Sequence, residues 1–268
     1  MDWIVQCRQQ VAEALTRLTK KGLVRPPGAG FSVRIPGQTA MAIGRVQADL
    51  GARASRPLSH DRLAPANSRG QILPGAERTD ASATPGETPT PNVSVVAFDQ
   101  VGGLVPVEEA TVLRMHASIY RHRPDVGAIL TSCLPWCFWL ARSGMMPAVF
   151  DEQVRYLGPQ VERLPSLGTE LTAGAIATLK RGANAFLLDQ ETICLGLTAE
   201  RALLNAELLE KCAQAYILAS LTRHPVGSIP FYVRFIAARR LLRDEKRAAE
   251  AYARGELPFQ PKAFPNSM

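Results

Sequence analysis

The sequence predicts an α/β fold, and three observations lead there. Stretches with apolar residues at helical spacing alternate along the chain with short apolar or alternating stretches of strand length. Glu108 and Glu109 open the helical stretch over 108–121, and Gly or Pro closes several of the helical stretches. No internal repeat and no run of about 20 apolar residues breaks this order, so no transmembrane helix is predicted. Alternation sets the class; it does not set the strand order.

The elements follow in turn. Over 3–18, Ile4, Val5, Val11, Ala12, Leu15 and Leu18 recur at roughly helical spacing, with Lys20 and Lys21 as a basic last turn and Gly22 as C-cap. A Pro/Gly turn covers 23–30. Residues 31–35 alternate as a strand, with 39–43 as its hairpin partner after Pro36-Gly37. Composition changes near Gly51. Pro57, Pro65, Pro74, Pro85, Pro89 and Pro91 then stand among Ser, Thr, Ala, Gly and Arg, with few bulky apolar residues. Such a segment buries too little to offset its ordering entropy, so 51–92 is predicted as a disordered insertion within a domain.

Strand character returns over 93–98, and 99–103 is a turn. A helix over 108–121 opens on Glu108 and Glu109 and ends at His122-Arg123-Pro124. An apolar strand follows at 126–130. Pro135 opens a helix through Trp136, Phe138, Trp139 and Leu140, closed by Gly144. Further on come a helix over 169–180 and strands over 185–188 and 192–195. The helix over 198–221 carries Ala202, Leu203, Ala206, Leu209, Ala213, Tyr216, Ile217 and Leu221 on one stripe. A last helix spans 230–254. The division is a domain over 1–225, then a C-terminal helix and Pro-rich tail over 226–268.

Of the 268 residues, 46% are hydrophobic and 21% charged, enough for a sizeable core. The first residues lack the basic-then-apolar order of a secretory signal. Five Cys without a CxxC pair argue against a disulfide framework and for a reduced, cytoplasmic setting. The net charge of +7 permits an acidic partner without requiring one. Its densest run, Arg234, Arg239, Arg240, Arg243, Lys246 and Arg247, lies on the last helix beside Ile236, Leu241 and Leu242. Asp244, Glu245 and Glu250 temper that run, so a solvated face is its plain reading and contact with an anionic surface its alternative. No zinc-finger, helix-turn-helix or Rossmann fingerprint occurs, and a nucleic-acid partner is not expected.

The segment from His116 to Leu130, reading H-A-S-I-Y-R-H-R-P-D-V-G-A-I-L, resembles the class II aldolase/adducin family, whose helix has the form H-x-x-I-Y-x-x-R-P-D-V before an apolar strand. Three weaker pieces follow the expected order. Gly30-Phe31-Ser32-Val33-Arg34 looks like the family's G-N-x-S-x-R. Gly144-Met145-Met146-Pro147, with Tyr156-Leu157-Gly158, is similar to a stretch found in adducins. Leu187-Leu188, Gly196 and the helix over 200–221 look like the closing L-L-x-N-H-G strand and its helix. The resemblance covers about 3–225. It implies a single three-layer α/β/α domain with a central, mainly antiparallel sheet. It also implies a homo-oligomer, usually a tetramer, or a mixed oligomer with a paralogue, and leaves room for a protein partner.

The family's zinc is held by an H-x-H pair after the apolar strand and by the His of N-H-G, three imidazoles that leave an open coordination position. Here those places read Thr131-Ser132-Cys133 and Asp189-Gln190-Glu191, so Thr131, Cys133 and Gln190 stand where the ligands belong. The family's acid/base carboxylate, four residues before the helix His, corresponds to Val112, which transfers no proton. Its two serines correspond to Ala110 and Thr111, and its Asn to Gly30. The only His residues are His60, His116, His122 and His224.

The resulting expectation is a non-catalytic member with no cofactor, acting as a structural or partner-binding subunit. The alternative is an aldehyde-lyase with zinc on altered ligands and a small sugar-phosphate-like or carbonyl substrate. Candidate cleft-lining residues are His116, Ser132, Cys133, Asp189, Gln190 and Glu191. Ser132 has no evident His-Asp partners for a hydrolase triad. Cys133, Cys137 and Cys194 are open to a thiolate site, although buried Cys is commonly a small hydrophobe. Trp136, Phe138 and Trp139 read as packing before stacking.

Overall fold

A computed structural model describes residues 2–25, 28–46, 93–99, 107–140, 145–164, 172–188, 191–222 and 229–259. The insertion expected at 51–92, the helix end expected at Gly144, the pair Asp189 and Gln190, and the Pro-rich tail beyond 259 lie outside the described residues. Those described belong to one compact unit, formed by Met1–Ala48 with Pro91–Met268.

Its centre is a sheet of eight strands: β1 (Ala29–Arg34), β2 (Ala40–Val46), β3 (Val93–Ala97), β4 (Ala128–Ser132), β5 (Met145–Pro147), β6 (Gln160–Arg163), β7 (Ala185–Leu187) and β8 (Thr192–Gly196). They lie in the order β3-β2-β1-β4-β8-β7-β6-β5. Every pairing is antiparallel except β6 with β7. Helices α1 (Trp3–Lys20), α3 (Pro135–Leu140) and α6 (Ala199–Leu221) pack one face. Helices α2 (Val107–His122) and α5 (Ala173–Thr178) pack the other. The result is a three-layer α/β/α domain. Because both faces are covered, β4 and β8 are buried at every position. That is why β4 reads as a continuous apolar run rather than an alternating one.

Two glycines mark where helices meet the sheet closely. A Cβ on Gly196 would lie 2.2 Å from the Ala202 amide at the start of α6. One on Gly127, just before β4, would lie 1.8 Å from the Tyr252 hydroxyl and 2.3 Å from the Leu197 carbonyl. Tyr252 belongs to α7 (Phe231–Ala253), whose Ala237, Leu241, Glu245, Ala248 and Tyr252 form the buried stripe.

The Arg and Asp of the R-P-D motif build a buried hub. Arg123 grips Asp125 with two bonds of 2.9 and 2.7 Å. It also donates to the carbonyls of Lys180 and Ala183, to the Asn184 side chain, and at 3.3 Å to Glu245. This explains a departure from the expected helix over 169–180. Within the described residues α5 starts at its Thr172 N-cap and stops at Thr178, because the chain beyond it turns its carbonyls onto Arg123. Glu245, expected to temper the surface charge of the last helix, is fully buried and bonds Arg123, Asn184 and the Gly182 amide. Leu221, expected in the core stripe of α6, is 73% exposed because it lies in the helix's last turn, beyond the stripe buried against the sheet.

Candidate functional site

The end of β4 where the family's ligands would stand is set by the ladder. Arg45 on β2 pairs with Gly30 on β1, Gly30 with Thr131 on β4, and Thr131 with Ile193 on β8. Helix α2 crosses this face and brings His116 over Thr131.

His116 is fully buried. Its Nε2 lies 2.8 Å from the Thr131 hydroxyl and its Nδ1 2.8 Å from the Ser32 hydroxyl. Ser32 Oγ is in turn 3.0 Å from the Tyr120 hydroxyl. Burial pushes the His116 pKa down to about 3, helped by the positive charge of Arg45, so the ring is neutral at neutral pH. A neutral imidazole has one donor and one acceptor nitrogen, and a hydroxyl can answer either. The chain Tyr120–Ser32–His116–Thr131 is therefore closed upon itself. Burial raises the Tyr120 pKa, so that phenol stays protonated too.

Val112, one turn before His116, is half-buried. A Cβ on Gly30 would lie 3.2 Å from its Cγ1. The two departures from the family pattern are thus coupled: Val112 leans on the space that a side chain at position 30 would need.

Adjacent positions on a strand face opposite ways, and Thr131 and Ser132 do so. Ser132 donates at 2.9 Å to the Leu23 carbonyl, on the side packed by α1 and α6. Cys133 is buried, and burial raises its thiol pKa, with Arg25 opposing and Glu191 and Glu210 reinforcing. Glu191 is raised by burial and lowered by Arg45. Arg25 and Arg45 are the residues that sequence reasoning missed. Each stands as a single basic residue in a Pro/Gly turn or at a strand end, without a pattern to flag it. Among the described residues, the buried Arg25 Nε has no hydrogen-bond partner.

Cys137 and Cys194 meet on the opposite face together with Cys212, which sequence reasoning did not single out. All the cysteines are free. Burial raises each of these thiols, Cys212 to about 12. They are uncharged hydrophobes at neutral pH. The nearby Glu210 carboxylate caps α3, accepting from the Trp136 and Cys137 amides at 2.8 and 3.3 Å. Trp136 packs against the core, while Trp139 is 61% exposed.

Of the family's three zinc-ligand positions, those of Thr131 and Cys133 lie among the described residues and that of Gln190 does not. At the first the Thr131 hydroxyl is already engaged by a buried imidazole, and at the second burial raises the Cys133 thiol pKa. Among the described residues no group of three or more His, Cys, Asp or Glu side chains is arranged to hold a metal. A cavity of about 430 Å3 lies elsewhere, at the far end of β1, where Val33, Arg17, Glu13, Glu200 and Tyr252 line it. Arg17 there is paired with Glu200 at 2.8 Å. No described helix is long and apolar enough to cross a membrane.

Comparison with known proteins agrees with this architecture. An L-fuculose 1-phosphate aldolase superposes with a TM-score of 0.59 at 19% identity, covering 88% of this chain and 95% of its own. The L-fuculose 1-phosphate aldolase from Glaciozyma antarctica PI12 gives 0.58 at 15% identity, covering 95% and 92%. An aldolase II superfamily protein from Pseudomonas syringae gives 0.56 at 15% identity, covering 96% and 95%. At these identities the likeness is one of fold. No curated protein matches the sequence. The family model for the class II aldolase and adducin N-terminal domain matches residues 9–217. With that match over most of its length, the chain belongs to the class II aldolase/adducin family.

Proposed function

We propose that this chain is a non-catalytic member of its family, a structural or partner-binding subunit that assembles as a homo-oligomer or with a paralogue in the cytoplasm. The observation that carries the proposal is the bond between His116 and Thr131. A ligand position occupied by a neutral hydroxyl that is already hydrogen-bonded to a buried ring offers zinc only a weak donor in place of an imidazole. Val112 at the acid/base position supports the same reading, since an isopropyl group transfers no proton. The experiment is an aldol-cleavage assay of the full chain with zinc and L-fuculose 1-phosphate or related sugar phosphates. The proposal expects no cleavage above the uncatalysed background; turnover that vanishes on chelation overturns it.

A second reading is favoured by one observation. Arg25 and Glu191 are close enough to act on the titration of Cys133, Arg45 on that of Glu191 and His116, and Arg25 on that of Glu210. Such convergent polar groups suit a divalent-metal aldehyde-lyase with altered ligands, acting on a small sugar-phosphate-like or carbonyl substrate. Turnover in the same assay would favour it.

A further inference from the structure

We propose that the exposed side of α7 from Phe231 to Arg247 is a docking site for an anionic lipid surface. The proposal goes beyond the reading above and uses no residue of the cleft. Along α7 the stripe Ala237, Leu241, Glu245 and Ala248 faces the body. The first two turns carry Phe231, Tyr232, Phe235 and Ile236, which are 72%, 66%, 50% and 49% exposed. Phe231 and Phe235 stack at 6.0 Å, and the Arg239 guanidinium lies over the Phe235 ring at 5.5 Å. Arg239, Arg240, Arg243, Lys246 and Arg247 follow on the exposed side.

The acidic residues of this segment do not offset that charge at the surface. Asp244 is ion-paired with Arg155 of α4 (Asp151–Tyr156), and Glu245 is buried against Arg123. Asp151 and Glu152 on α4 are exposed and Glu250 lies further along α7, too few to balance the five cations after the aromatic tip. The surface is therefore an apolar, aromatic end followed by a cationic belt.

Charge and chemistry select the occupant. A bilayer containing anionic lipid takes both parts at once, with apolar side chains in the headgroup and acyl boundary and cations on the headgroups. A nucleic acid would engage the arginines and offer nothing to Ile236. A second copy of the chain would bring one cationic belt towards another in a protein of net charge +7.

The test uses the full chain in vesicle flotation, with phosphatidylcholine vesicles and with vesicles in which about a third of the lipid is phosphatidylserine. Binding is expected to the anionic vesicles and not to the neutral ones, and to weaken as salt rises. The variant R239Q/R240Q/R243Q is expected to lose on the order of a hundredfold in partitioning. The variant F231S/F235S is expected to lose at least about tenfold. These side chains are exposed, and circular dichroism checks that both variants fold. Absence of wild-type binding to anionic vesicles overturns the proposal, as does equal binding by wild type and both variants. Two further results overturn it in favour of another occupant. One is salt-sensitive binding to duplex DNA without vesicle binding. The other is an oligomer, seen by size exclusion, that F231S/F235S dissolves while the wild type ignores vesicles.

Discussion

His116 Nε2 and the Thr131 hydroxyl are 2.8 Å apart, both buried, at the point where the family's first zinc ligand would project. The bond joins α2 to β4 and ends a chain of hydroxyls reaching back to Tyr120. Thr131→Val keeps the shape and removes the hydroxyl, leaving one ring nitrogen buried without a partner. The expected cost is about 1–3 kcal/mol in urea denaturation, and Thr131→Ser is expected to recover most of it.

The same ring sets a pH dependence. Its pKa falls from 6.5 to about 3 on folding, so the unfolded chain binds the extra proton first. Stability from this group is complete above about 6.5 and is lost as the pH drops toward 3, by at most about 1.4 kcal/mol per unit. Glu191, Glu210 and Glu245 are raised and act in the opposite sense. The readout is therefore the difference between wild type and His116→Gln, measured by denaturant midpoints at pH 7, 5 and 4. The gap is expected to narrow as the pH falls.

Glu245 ties the C-terminal helix to the hub around Arg123. Glu245→Ala removes one partner of a buried ion pair and strands the Gly182 amide, at an expected cost of about 3–5 kcal/mol. Glu245→Gln keeps the acceptor for Gly182 and is expected to cost less. Chemical denaturation of the two variants side by side measures the difference.

Gly127→Ala places a methyl group 1.8 Å from the Tyr252 hydroxyl and 2.3 Å from the Leu197 carbonyl. We expect a loss of about 3 kcal/mol or more, since backbone must move. Tyr252→Ala in the same chain relieves only the first clash. Thermal unfolding of the single and double variants is therefore expected to show no recovery in the double.

The sequence made the long elements legible. Residues 198–221 and 230–254 became α6 and α7 to within a residue or two, because 23 residues each give periodicity room to register. Several short ones escaped, although β7 and α3, equally short, were read from their apolar runs. Strand β5 has three residues, β6 four and α4 (Asp151–Tyr156) six, too few for any period to stand out. At the candidate site, the order of motif residues singled out Thr131, Cys133 and Val112, but could not say what the Thr131 hydroxyl does. That depends on His116 arriving from another element. Arg25 and Arg45 were invisible because strand pairing, which no local pattern encodes, carries Arg45 beside Gly30. Glu245 reads as a surface charge in sequence, and only the fold supplies Arg123.

The most direct test of the central claim is the metal content of purified, untagged protein expressed with zinc present, measured by inductively coupled plasma mass spectrometry. A closed Tyr120–Ser32–His116–Thr131 chain with no imidazole at the ligand positions predicts far less than one zinc per chain, about a tenth of an equivalent or below. A stoichiometry near one would contradict the account. Loss of that zinc in Cys133→Ser would then identify the thiol as its ligand.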